Sequence, residues 1–211
     1  INNGHKLIEP VLDEVNRLTV EPSWGVNDSV GHGTSMAGVA MYGNLNAILE
    51  NNQAIEIHHQ IESVKILHPD YPNEQNKFPL ITLDAVNRAI INNSNNKRIF
   101  CMAVTTDFQV DFGKPSAYSS VLDSIIFGED NDDKKLFIVS AGNVRGEENW
   151  KNYPESNLNL SVESPAQSWN AISIGAYTEK ILPDVNTVAK KIELSPHSTT
   201  SSSWDSNWPM K

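Results

Sequence analysis

Apolar positions along the chain fall into short unbroken runs that alternate with amphipathic stretches. Residues 62–67, ESVKIL, read as a strand. Between residues 81 and 92, Ile81, Ala85, Val86, Ala89 and Ile90 recur on one helical face, and the Asn/Ser cluster at 92–96 ends that helix. Residues 99–104, IFCMAV, form a continuous apolar run of strand length, which suits a strand buried on both faces of a parallel sheet. Residues 116–127 predict a helix with Val121, Leu122, Ile125 and Ile126 on its buried side and Gly128 as its stop. Further buried strands are predicted at 136–140, running into Ala141, Gly142 and Asn143, and at 171–176, AISIGA. Strands alternating with helices in this way predict βαβ units and an α/β fold with a parallel sheet. Sites in such sheets form where strands end and loops begin. The polar stretch 145–167 reads as a long surface loop, and the Ser/Thr-rich stretch 195–208 as an irregular tail.

Composition narrows the function classes. With 211 residues, 39% hydrophobic and 20% charged, the chain suits one globular domain. No apolar run approaches the ~18–20 residues that span a bilayer, so no membrane partner is expected. Sixteen Lys and Arg against 26 Asp and Glu give a formal net charge of −10, which disfavours nucleic acid as a partner. A lone cysteine, Cys101, excludes an internal disulfide framework and a multi-cysteine metal site. The acidic run 129–135, EDNDDKK, could bind Ca²⁺ but lacks a spaced D-x-D-x-D-G pattern. It reads as a solvated turn, and no metal or other cofactor is assigned. His58 and His59 have no third ligand in view, and His68 and His197 have no special setting.

Two segments carry chemistry. In GHGTSMAGVA at 31–40 a histidine stands between glycines ahead of small residues. This is a helix start: the glycines permit a tight turn, and Thr34 or Ser35 can satisfy first-turn N–H groups. Ala37, Gly38 and Ala40 would let the helix lie close against a sheet. His32 then stands at the mouth of the helix, either as a general base facing a crevice or as a buried structural histidine. In the second segment, Ser140-Ala141-Gly142-Asn143 closes an apolar strand with an amide. The Asn143 NH₂ can donate to a developing oxyanion; the bland alternative is an asparagine tolerating an unusual backbone angle at a turn.

Taken together, these segments resemble the subtilisin-like serine proteases. His32-Gly33-Thr34-Ser35-Met36-Ala37-Gly38 fits that family's H-G-T-x-x-A-G at every fixed position, and Ala141-Gly142-Asn143 its A-G-N oxyanion motif. Between them, Met102-Ala103-Val104-Thr105 occupies the place of the strand that binds substrate backbone, and residues 171–176 match a strand of the A-I-x-V-G-A kind. The resemblance implies a three-layer, doubly wound, mostly parallel α/β fold and one peptidase domain over 1–211. It also implies a polypeptide substrate bound by Met102, Ala103, Val104, Thr105, Ala141 and Gly142, with His32 and Asn143 catalytic.

Departures from the pattern define what the chain holds. Gly33-Thr34-Ser35-Met36-Ala37 also spells the family's nucleophile motif, but that motif belongs after A-G-N, and Ser35 lies only three residues from His32. Residues 1–5, INNGH, resemble the stretch just after the family's D-T-G. The triad aspartate is thus expected upstream and the serine downstream, the domain being incomplete at both ends and partnered by the rest of its own parent chain. Asp13, Glu14 and Asp28 are poor stand-ins, although Asp28 could approach the imidazole. Ala103 and Thr105 replace the usual Ser and Gly, and Thr105 should narrow the pocket for the substrate side chain. Two other readings remain: a pseudo-protease that only binds peptides, and a nucleotide-binding α/β domain. The latter wants G-x-G-x-x-G, of which Gly31-His32-Gly33 supplies only the first half.

Overall fold

A computed structural model describes residues 1–50, 54–106, 111–128, 134–179 and 185–209. The chain divides into two compact units, Ile1–Asn96 and Lys97–Lys211. Most of the acidic run considered for Ca²⁺, residues 129–133, lies outside the described residues.

In the first unit, β1 (Arg17–Thr19) is followed by α1 (His32–Tyr42), α2 (Leu45–Glu50) and β2 (Ser63–Lys65). β1 and β2 pair in parallel with Leu18 opposite Val64, a pairing that requires the long crossover the two helices provide. β2 is the centre of the strand expected at 62–67. The next helix, α3 (Phe78–Asn92), begins a turn earlier than the apolar pattern predicts, with Pro79 in its first turn where no N–H partner is needed. Its buried positions are Thr82, Val86 and Ala89. Ala37 of α1 packs with Ile8 and Leu12, and Ile1 and Ile61 close over that cluster. The small-residue run therefore seats α1 on the segment ahead of β1, where a sheet was expected, and Ala40 is exposed.

The second unit runs β3 (Ile99–Met102), α4 (Ala117–Phe127), β4 (Leu136–Ser140), α5 (Glu147–Lys151), α6 (Glu155–Asn159), β5 (Ile172–Ile174), β6 (Tyr177–Thr178) and β7 (Glu193–Leu194). β3, β4 and β5 form a parallel sheet in chain order, and β6 pairs antiparallel with β7. α4 follows the sequence pattern closely. Ser116 caps it through a reciprocal capping box with Ser119, Gly128 ends it, and Leu122, Ile125 and Ile126 are buried. Tyr118 of α4 donates to Met102 Sδ at 3.3 Å, which ties the helix to the buried side of the sheet. On that side Phe100 and Phe137 stack with centroids 4.7 Å apart, beside buried Val139.

Two expectations are corrected. The strand at 99–104 was expected to be buried on both faces, and those at 136–140 and 171–176 to be buried, yet the sheet they form has an exposed face. Ile99 is 66% exposed, Ile172 47% and Ile174 52%, and Cys101 is exposed beside them. Strand side chains alternate between faces, and α4 covers only the face that carries Phe137 and Val139. The second correction concerns 145–167, which is not a surface loop. It folds into α5 and α6, and Asn157, Ser161, Ser164, Pro165, Ala166 and Gln167 are buried. A polar stretch can be interior when its side chains bind backbone groups. Asn157 Nδ2 donates to the carbonyls of Ser195 (3.0 Å) and Ser198 (2.8 Å), and Thr200 Oγ1 returns a bond to Asn157 O at 2.7 Å. The tail at 195–208 carries no helix or strand, as expected, but these bonds and the buried Trp204 hold it against the unit. Among the described residues, no helix is long and apolar enough to cross a membrane.

Candidate active site

His32 is the first residue of α1 and is exposed, which removes the reading of a buried structural histidine. Gly31, at φ +88°, turns the chain into the helix in a conformation that favours glycine. The cap that satisfies the first turn comes from Asp28, where Thr34 or Ser35 was expected to supply it. Its Oδ1 accepts from Val30 N (3.0 Å) and Gly31 N (2.7 Å), and its Oδ2 from Thr34 N (2.8 Å) and Thr34 Oγ1 (2.9 Å). A carboxylate is the stronger acceptor for N-terminal N–H groups and also meets the positive end of the helix dipole. Asn2 fastens the same loop, donating to Asp28 O at 2.8 Å while its backbone N–H donates to Thr34 Oγ1 at 3.1 Å. Asp28 is thereby excluded as the partner that orients the imidazole, because both its oxygens are already engaged. Glu14, another stand-in, binds Arg17 and Asn3.

Partial burial works to raise the Asp28 pKa, but the bonds from Thr34, Gly31 and Val30 outweigh it and hold the pKa at about 2, below the ordinary 3.8. A depressed carboxylate pKa gives stabilisation that is complete above the unfolded value and drains away as pH falls toward the folded one. Asp28→Ala should therefore cost about 1–2 kcal/mol at neutral pH, the range of a lost helix cap. The gap between variant and wild type should close between roughly pH 4 and pH 2. Urea unfolding at pH 7 and pH 2.5 measures both; a gap at pH 2.5 as large as the one at pH 7 would contradict this role.

Asn143 stands three residues past the end of β4 and is exposed. The unusual backbone angle falls on its neighbour: Gly142 has φ +114°, and a Cβ there would lie 2.6 Å from Glu163 Cγ. The alternative in which Asn143 itself takes the strained turn is thus removed. The turn is pinned on several sides. Ala141 N donates to Ile174 O at 2.9 Å, and Ala141 O accepts from Glu163 N and Thr199 Oγ1, both at 2.8 Å. Asn143 pairs with Ser198 in an isolated antiparallel bridge, and Val144 N donates to His197 O at 2.9 Å. These bonds restrain the backbone from which the exposed Asn143 carboxamide projects.

Of the substrate-strand candidates, Met102 is buried, and Ala103, Val104 and Thr105 are half-buried just beyond the end of β3. Thr105, Gly142 and Asn143 are brought together by Glu163, a residue the sequence pattern does not single out. Its carboxylate accepts from Thr105 Oγ1 and from Asn143 N. A lone acid in a polar stretch gives no signal; only the folded segment at 163–164 places it. His32 belongs to the unit Ile1–Asn96, and the other candidates to Lys97–Lys211. Ser35 is exposed in the first turn of α1, and among the described residues the His32 ring has no hydrogen-bond partner. His197 packs edge-on against Trp150, and His58 lies 3.9 Å from Glu56 at the surface. Among the described residues, no group of three or more His, Cys, Asp or Glu is placed to hold a metal ion.

A family model described as Subtilase family matches residues 1–211. No curated protein and no solved structure matches the chain.

Proposed function

From the membership of this chain in the subtilase family, we propose that it forms the central part of a serine endopeptidase domain, in which His32 is the general base and Asn143 the oxyanion donor. The family is one of serine proteases acting on polypeptides, so the reaction is acyl transfer from a peptide bond. In this reading the nucleophilic serine and the triad aspartate come from chain outside these 211 residues. His32 takes the proton from the serine hydroxyl as it attacks the scissile carbonyl, then delivers it to the leaving amine. The Asn143 amide donates to the oxygen that becomes negative. The backbone of residues 102–105 pairs with an extended substrate.

The observation that carries this reading is the presentation of the two groups. An imidazole and a carboxamide both stand exposed, one at the capped head of α1 and the other at the restrained exit of β4. The apolar side of the β3-β4-β5 sheet, with Ile99, Ile172 and Ile174 in solvent, supports the three-layer arrangement: further helices of the same domain would cover it.

A fluorophosphonate probe tests the proposal. The full-length gene product should be labelled on a serine in a second G-T-S-x-A segment, and residues 1–211 alone should not be labelled. Labelling of the isolated segment would move the nucleophile to Ser35. A full-length protein that binds peptides yet resists the probe would be a pseudo-protease.

A further inference from the structure

Ligands of parallel sheets bind outside the carboxyl ends of the strands. β3 and β4 are parallel neighbours with Met102 opposite Val139. Past these ends, 103–105 and 141–143 form two walls, and residues 163–164 are strapped between them. Glu163 N donates to Ala141 O, and Ser164 O accepts from Thr106 N, both at 2.8 Å. The strap leaves the Glu163 side chain little choice of position. It lies against Gly142, accepts from Thr105 Oγ1 on one wall and reaches Asn143 N at 3.4 Å on the other. Its side chain is only 13% exposed, so a carboxylate forms the floor between the substrate strand and the oxyanion turn.

That carboxylate already holds a guanidinium. Arg145 donates through Nη1 to Oε1 at 2.6 Å and through Nη2 to Oε2 at 3.4 Å, in the forked geometry by which Arg recognises carboxylates. The Arg145 side chain is 47% exposed, and a pair half in water is weak enough to exchange. We propose that Glu163 is a specificity-determining residue: it receives the guanidinium or ammonium of a basic residue whose carbonyl is the one attacked, and Arg145 occupies that place until substrate displaces it. The assignment rests on the proposed function, because the carbonyl held by Asn143 belongs to the residue whose side chain enters this floor. An acid so largely covered between two strand ends rewards a cation and leaves an apolar side chain facing a desolvated charge.

The experiment uses the full-length protein and fluorogenic peptides identical except for Arg, Lys or norleucine at that residue. The Arg and Lys peptides should exceed norleucine in kcat/KM by about 10²-fold, the scale of a covered charge pair. Glu163→Gln should bring that ratio to about one, and Arg145→Ala should raise it several-fold by removing the competitor. A wild-type ratio near one, or a ratio unmoved by Glu163→Gln, overturns the assignment while leaving the protease reading intact. If none of the peptides is cleaved, the protease reading fails instead, and fluorescence-polarisation titration of the same peptides decides the role of Glu163. Preferential binding of the Arg peptide that Glu163→Gln abolishes upholds it, and equal binding of Arg and norleucine peptides overturns it.

Discussion

Replacing His32 by alanine in the full-length protease is expected to lower kcat by about 10⁶-fold with KM unchanged, a size measured on a subtilisin and carried over by family membership. The direction comes from the chemistry. A serine hydroxyl is a poor nucleophile until a base takes its proton, and the same group must protonate the departing amine. In the proposed role the ring acts in the reaction and not in holding ground-state substrate, so the loss belongs in kcat. The geometry also makes the experiment clean. His32 is exposed and buries no part of the core, while the cap made by Asp28 uses the backbone of Val30, Gly31 and Thr34. The variant should therefore fold as the wild type does, which thermal unfolding can verify beside initial rates across substrate concentration. A fall of less than about tenfold would remove His32 from the role of base, since general bases contribute about 10²–10⁴ even without covalent catalysis.

Asn143→Ala should reduce kcat by about 10²–10³, again a scale set by a subtilisin, while binding of ground-state peptide is retained. The donor matters because negative charge appears on the carbonyl oxygen only as the bond forms, so its worth is confined to the transition state. Affinity for a peptide boronate, which mimics the tetrahedral state, should fall in parallel with kcat. If kcat falls while boronate affinity holds, the amide serves the turn and not the oxyanion. The restraints on this turn come from Ile174, Thr199, His197 and the backbone of Glu163, none of which uses the Asn143 side chain. Truncating it should leave the turn in place.

The parts of the fold that could be read from residues were those set by local periodicity. α4 has its cap at Ser116, its stop at Gly128 and its stripe at Leu122, Ile125 and Ile126, all within one short window. The strands β3, β4 and β5 likewise declare themselves as apolar runs. Which side of those strands is covered is a tertiary matter, and Ile99 and Phe100 look alike until α4 is placed. The segment 145–167 misled for a different reason. Asn157 and Gln167 are polar, yet Asn157 is interior because its amide serves two backbone carbonyls far along the chain, at Ser195 and Ser198. At the candidate site, the histidine and the asparagine announce themselves by their glycine neighbours. The helpers do not: the Asp28 cap depends on the turn from Asp28 to Gly31, and Glu163 matters only because 163–164 crosses between two strand ends.

The bonds that fix Asn143 also set a timetable. The turn at 141–143 is held by Ile174, Glu163, His197 and Thr199, all of them made later by the ribosome. Contacts so distant in sequence form slowly, because the intervening chain must close before they give any return. A nascent chain that has emerged only as far as β4 carries the amide without the scaffold that aims it. If Asn143 is the oxyanion donor proposed above, its turn takes its final form during synthesis only when the segment around residue 199 has docked.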